Sequence, residues 1–136
     1  MSVCILIIAD SRGRGTKEHL QNSGHFPVET IYDESILPGA NITKLFAKLR
    51  RLTRVYSSRF PTHRMIIFFG GGICDLTKRT HEHNQTQIYY QPRSGIVEQT
   101  KLKLKEVWDY TNERGYFLIL STIYPVSLLS FRDHYI

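Results

Sequence analysis

The side chains best suited to chemistry gather in three short stretches of the 136-residue chain. Asp10-Ser11-Arg12 sets a carboxylate, a hydroxyl and a guanidinium side by side, directly after an apolar run. Gly70-Gly71-Gly72-Ile73-Cys74-Asp75 puts a thiol and a second carboxylate behind three glycines, which remove side chains and let a ligand or another backbone come close. Asp133-His134 is the only late pairing of an acid with an imidazole. A serine hydroxyl becomes a nucleophile only with a histidine in hydrogen-bond reach, itself oriented by a third group. Two carboxylates such as Asp10 and Asp75 are the donor type that holds Mg²⁺ in phosphoryl-transfer sites. Cys74 is a conceivable nucleophile, although a structural thiol is the commoner case. His81-Glu82-His83 has metal-ligating residue types without a clear third ligand and reads as solvated loop. Gly13-Arg14-Gly15 is no dinucleotide fingerprint, because Glu18 stands where the third glycine belongs.

These stretches need elements to position them. Residues 3–9 are seven consecutive apolar residues, most of them branched, and predict a strand buried on both faces of a parallel sheet. A short helix over residues 16–22 follows, then a shorter and more polar strand at 28–32, suited to an edge, with Asp33-Glu34-Ser35 behind it. Pro38-Gly39-Ala40 is a turn and Asn41 a helix cap. Ile42, Leu45, Phe46, Leu49, Leu52, Val55 and Tyr56 then recur at helical spacing, with Lys44, Lys48, Arg50, Arg51 and Arg54 opposite them. The uniformly apolar residues 65–69 predict a central third strand. Residues 78–93 read as a long polar loop. Ser94 is the expected cap of a helix with Val97, Thr100, Leu104, Val107, Trp108 and Thr111 on one face and Gly115 at its end. Residues 116–123 make the fourth strand.

Strand, helix, strand, helix, strand, helix, strand implies right-handed crossovers and an α/β, flavodoxin-like three-layer sandwich. A sheet of about four parallel strands in the order 2-1-3-4 sets the first and third strands side by side. Asp10-Ser11 and Gly72–Asp75 then converge at the switch point, where such sheets bind ligands.

The totals describe one folded domain with 41% apolar residues, and exclude a disulfide scaffold or a four-ligand zinc site, since there are two cysteines. An intracellular, reducing compartment is the expectation, with no signal peptide and no transmembrane segment. The formal charge of +6 favours an anionic partner.

Asp10-Ser11 after the apolar first strand, a lone Gly39 ahead of the second helix and Gly72-Ile73-Cys74-Asp75 after the third strand resemble the SGNH (GDSL-like) hydrolases in order and spacing. The resemblance spans residues 3–127. It implies Ser11 as nucleophile and the N–H groups of Ser11 and Gly39 as oxyanion donors, such donors often being the largest catalytic contribution. It places Cys74 where that family has the asparagine donor, Ala9 where it usually has glycine, and Asp75 as the following aspartate, a candidate brace for the loop. The family's base comes from Asp-x-x-His. Here Asp133 and His134 are adjacent, Phe131 stands where the aspartate belongs, and the expectation is either His134 as base or a truncated or degenerate member without a triad.

The leading expectation is therefore an ester hydrolase acting on a small or acylated molecule without a cofactor. Ser11, Gly39, Cys74 and His134 would carry the chemistry, with Asp10, Arg12, Gly72 and Asp75 around the substrate. The alternatives are a non-catalytic module that binds nucleic acid or another polyanion through Arg12, Arg14 and the basic helix faces, and a metal-dependent phosphohydrolase using Asp10 and Asp75. The edge of the fourth strand is expected either to pair in a homodimer or to be covered by residues 126–136.

Overall fold

The structure is a computed structural model that describes residues 2–82, 85–90 and 94–121, with the backbone alone over 78–90. In chain order the elements are β1 (Val3–Ala9), a 3-10 turn (Ser11–Gly13), α1 (Thr16–Asn22), β2 (Ile31–Ile36), α2 (Ile42–Arg59), β3 (Arg64–Gly70), α3 (Ile73–Leu76), β4 (Thr77–Glu82), β5 (Gln85–Tyr90), α4 (Ile96–Glu113) and β6 (Phe117–Leu120). The main sheet is parallel throughout, in the order β2-β1-β3-β6, which is the expected 2-1-3-4 order of a flavodoxin-like α/β fold.

The apolar run of β1 is central because both of its neighbours are strands, and Cys4 to Ile8 are all but sealed from solvent. Its two faces meet different partners. Cys4, Leu6 and Ile8 join Met65, Ile67 and Phe69 of β3 in a core filled from α2 by Ile42, Leu45, Phe46, Leu49 and Leu52, and from α4 by Val107. The two helices meet there through an edge-on contact of Phe46 with Tyr110 and a 2.7 Å hydrogen bond between Thr53 Oγ1 and the Tyr110 hydroxyl. On the other face, the Lys17 N–H of α1 donates to Glu34 Oε2 at 2.9 Å, and Glu34 is paired with Ile7, which puts α1 over the Ile7 side. One helix on one face and two on the other is what right-handed crossovers require when the chain first steps one way along the sheet and then the other.

Several boundaries differ from expectation. The second strand is Ile31–Ile36, so Asp33-Glu34-Ser35 lies inside the strand, and it does form the sheet edge. Residues 77–82 and 85–90 form an antiparallel hairpin in place of a long loop. α2 runs on to Arg59, with Val55 turned outward at 45% exposure. α4 starts from Gly95 rather than from a Ser94 cap. It buries Thr100, Val107 and Thr111, leaving Val97 and Trp108 about half exposed, because a helix at the sheet margin has only a narrow stripe to bury. Asn41 caps α2 as expected, accepting from the Lys44 N–H at 3.0 Å. β6 is an edge of the described sheet, and residues 122–136 lie outside the described residues. No helix among the described residues is long and apolar enough to cross a membrane.

Candidate functional site

At the end of β1 the chain turns sharply. The Asp10 N–H continues the ladder to the Gly70 carbonyl at 3.0 Å, and the Asp10 carboxylate accepts the Arg12 N–H at 3.0 Å. That capping bond and the Gly13 N–H to the Asp10 carbonyl, also 3.0 Å, close the 3-10 turn over the strand end. The turn brings Gly13 so close to β1 that a Cβ there would sit 2.4 Å from the Ala9 Cβ. Alanine at 9 thus demands glycine at 13.

A cavity of about 80 Å³ opens at the carboxyl ends of β1, β3 and β6. Its origin lies in two successive cross-strand rows. Ile7, Phe68 and Ile119 are paired neighbours and form an apolar floor. One step further on, Ala9 pairs with Gly70, and Ser121 follows beside them, its N–H donating to the Phe69 carbonyl at 3.0 Å. A Cβ on Gly70 would stand 2.9 Å from Ser121 Oγ and 3.2 Å from Ala9 Cβ. Three small side chains in a row leave the hollow, and Asp10, Arg12 and Thr16 rim it. A water needs about 10–15 Å³ of such space, so the cavity suits a group of a few heavy atoms.

Of the residues singled out in the sequence, Asp10 and Arg12 line the cavity and Ser11 stands exposed between them. Neither the Ser11 N–H nor its hydroxyl has a hydrogen-bond partner among the described residues. Gly39 lies in an exposed turn with φ 74°, tied to the same sheet end by the Leu37 N–H to the Ala9 carbonyl at 2.8 Å. Its N–H is likewise without a partner among the described residues. Neither Gly39, Gly72 nor Cys74 lines the cavity; Gly72 is the buried cap of α3, and Cys74 is half-buried within it.

Asp75 has a different occupation. Its Oδ2 accepts the Ile42 N–H at the start of α2 at 2.9 Å, and its Oδ1 accepts from Lys103 Nζ of α4 at 3.1 Å. Both oxygens of this buried carboxylate are engaged in holding two helices to the end of β3, an arrangement that does not fit a metal ligand shared with Asp10. Among the described residues no three His, Cys, Asp or Glu side chains gather as a metal site would require.

No described imidazole lines the cavity. His63 precedes β3, a strand of seven residues, and so lies roughly 20 Å from the cavity end. His19 and His25 are exposed. His134 lies outside the described residues, as do the side chains of His81 and His83. Ser121 and Thr16 are the polar cavity residues that the sequence reading missed. Ser121 carries the same signal as Asp10-Ser11, a polar side chain directly after a buried parallel strand.

Two groups on the opposite, helix-covered face have displaced acidities. Burial, reinforced by the nearby Asp33 carboxylate, pushes the Cys4 thiol up to about 11. The Tyr56 hydroxyl donates to Asp33 Oδ2, and this bond first, then burial, raises Tyr56 to about 12. No protein-family model matches the chain, and neither a curated protein nor a solved structure matches it.

Proposed function

We propose that the chain is a serine ester hydrolase of the SGNH type acting on short acyl groups, with Ser11 as nucleophile. The observation that carries this reading is that Ser11 keeps both its hydroxyl and its N–H uncommitted, while the residues on either side of it line the cavity. A hydroxyl that no described residue engages is available to a base brought to it, which it needs in order to attack, and an N–H in the same state is free to donate to the oxyanion that forms on the carbonyl oxygen. The free N–H of Gly39, leaving the same end of the sheet, is the second donor.

In this reading the acyl chain rests on Ile7, Phe68 and Ile119. Ser11 Oγ adds to the ester carbonyl as its proton passes to a base; the carbon–oxygen bond to the alcohol then breaks, and the alkoxide takes that proton. Water attacks the resulting acyl-serine and releases the acid, regenerating the hydroxyl. The candidate base is His134, which departs from the family's Asp-x-x-His because Asp133 is adjacent to it, and a chain in which it does not serve is a degenerate member without a triad. Cys74 replaces the family's asparagine donor, and a thiol is a weak donor, so a modest rate is expected.

The test is turnover of p-nitrophenyl acetate and p-nitrophenyl octanoate by the full chain. The acetate is the better substrate, Ser11→Ala abolishes turnover, and His134→Gln lowers it by about 10²–10⁴-fold. Gly70→Ala, whose Cβ would stand 2.9 Å from Ser121 Oγ and crowd the hollow, raises KM for both esters. A wild-type chain without turnover, or turnover that survives Ser11→Ala, overturns the reading.

A further inference from the structure

α2 is electrostatically the most one-sided of the described helices. Lys44, Lys48, Arg50, Arg51, Arg54 and Arg59 give it six cations and no acid. The whole chain has 18 Lys and Arg against 12 Asp and Glu, so the formal charge of +6 resides in this one helix and the remainder is balanced. α4, of the same length and packed on the same face, has three lysines and four carboxylates. Each lysine of α4 is within 4 Å of a carboxylate, Lys101 of Glu98, Lys103 of Asp75 and Lys105 of Asp109. None of the six cations of α2 has a carboxylate partner among the described residues.

We infer that the outward face of α2 is a nucleic-acid-binding surface that grips the phosphate backbone. At about 100° per residue the six cations fall within roughly half of the helix circumference, opposite the buried Ile42, Leu45, Leu49 and Thr53. The helix is about 27 Å long, enough to follow a run of phosphates. Four of the six are arginines, the side chain that matches a phosphate with two parallel N–H donors. Two of them are already held in place by aromatic rings, the Arg50 guanidinium 4.4 Å from the Phe46 centroid and that of Arg59 5.5 Å from Phe60.

The chemistry of the face selects among polyanions. A lipid surface would need apolar side chains beside the cations, and those of α2 are buried in the core, Val55 alone being exposed among its large apolar residues. α2 has no Asn, Gln, Asp or Glu to read base edges, and its outward face offers cations beside a few hydroxyls. It lies along the backbone, and binding is independent of sequence.

Fluorescence anisotropy of a labelled 20-base-pair duplex with the full chain tests this, between 50 and 200 mM KCl. Six phosphate contacts give a slope of log K against log salt near −5, at about −0.9 per contact. The triple variant Lys44→Gln, Arg51→Gln, Arg54→Gln reduces that slope by about 3. The charge-matched control Lys17→Gln, Lys101→Gln, Lys105→Gln leaves it within about one unit of wild type. Circular dichroism of both variants confirms that the fold is kept. Absence of binding at 50 mM, equal loss in the control, equal competition by poly-glutamate at matched charge, or binding to anionic vesicles without binding to the duplex each overturns the proposal.

Discussion

The two faces of the four-stranded sheet are lined by the same kinds of side chain and covered in opposite ways. Toward α2 and α4, two helices of 18 residues close over Cys4, Leu6, Ile8, Met65, Ile67 and Phe69, every one of them buried. Polar groups on that side are tied up, Thr53 with Tyr110, Asp33 with Tyr56, and Asp75 with both helices. Toward α1 the only helix among the described residues has seven residues and none of them buried. On this face the central Ile5 and Ile7 are buried, but Ile66 and Phe68 are half-buried, Phe117 at the margin is 54% exposed, and the rows of side chains end in Ala9, Gly70 and Ser121. A missing side chain costs less where the neighbouring strands β3 and β6 are only half covered. The hollow therefore opens on the more thinly covered face, and the closed face keeps the strand ends in register beneath it.

The sharpest way to break this comparison is to delete equal volumes from both faces. Leu49 is fully buried on the closed side, and Leu49→Ala should cost about 3 kcal/mol through lost transfer energy and the cavity left behind. Ile119 is half-buried on the open side, and Ile119→Ala should cost about 1 kcal/mol. Urea denaturation of the two variants measures both, and equal losses would show that the open face is as tightly packed as the closed one.

The two buried carboxylates at strand ends sharpen the same contrast. Asp75→Ala leaves the Ile42 N–H unpaired in the interior and should cost about 2 kcal/mol. The bond to Lys103, whose side chain is 40% exposed, adds little to that. Asp10→Ala removes a cap from a three-residue turn at the cavity rim and should cost about 1 kcal/mol. Unfolding midpoints in the opposite order would mean that the rim, and with it Ser11, is held more firmly than the helix anchor.

The closed face was the more legible of the two in the sequence. Its strands announce themselves as unbroken apolar runs, and Asn41 and Gly115 mark helix ends where expected. What escaped is what depends on partners distant in the chain. Asp33-Glu34-Ser35 has the composition of a turn, yet Asp33 is met by Tyr56, Glu34 by the Lys17 N–H, and Ser35 is buried, so the strand runs through them. The hairpin over 77–90 has no Asn-Gly or Asp-Gly signal at its tip, which left only polarity to read. The position of Asp10-Ser11 was legible because a buried strand ends there. The cavity itself was not, since Ala9, Gly70 and Ser121 become neighbours only through strand register.

Alkali should act on the closed face, by a smaller amount. Cys4 and Tyr56 are acids whose neutral forms the fold favours, the first raised from an ordinary 9.0 to about 11 and the second from 10.0 to about 12. The unfolded chain loses these protons first as pH rises. Their contribution is therefore whole below pH 9 and declines through the window from 9 to 12, as each group passes from its unfolded to its folded value. By pH 10 the buried Cys4 alone should account for about 1 kcal/mol of lost stability. Tyr56 takes over above that pH, where its bond to Asp33 gives way to repulsion between two anions. Urea midpoints measured from pH 8 to 11.5 read the decline. Cys4→Ala should be less stable than wild type at pH 8 and flatter between 8 and 10, and Tyr56→Phe should be flatter above 10. Curves parallel to wild type for both variants would mean that the alkaline loss arises elsewhere, and that the packing of Asp33, Cys4 and Tyr56 does not set the ceiling on the stability of the closed face.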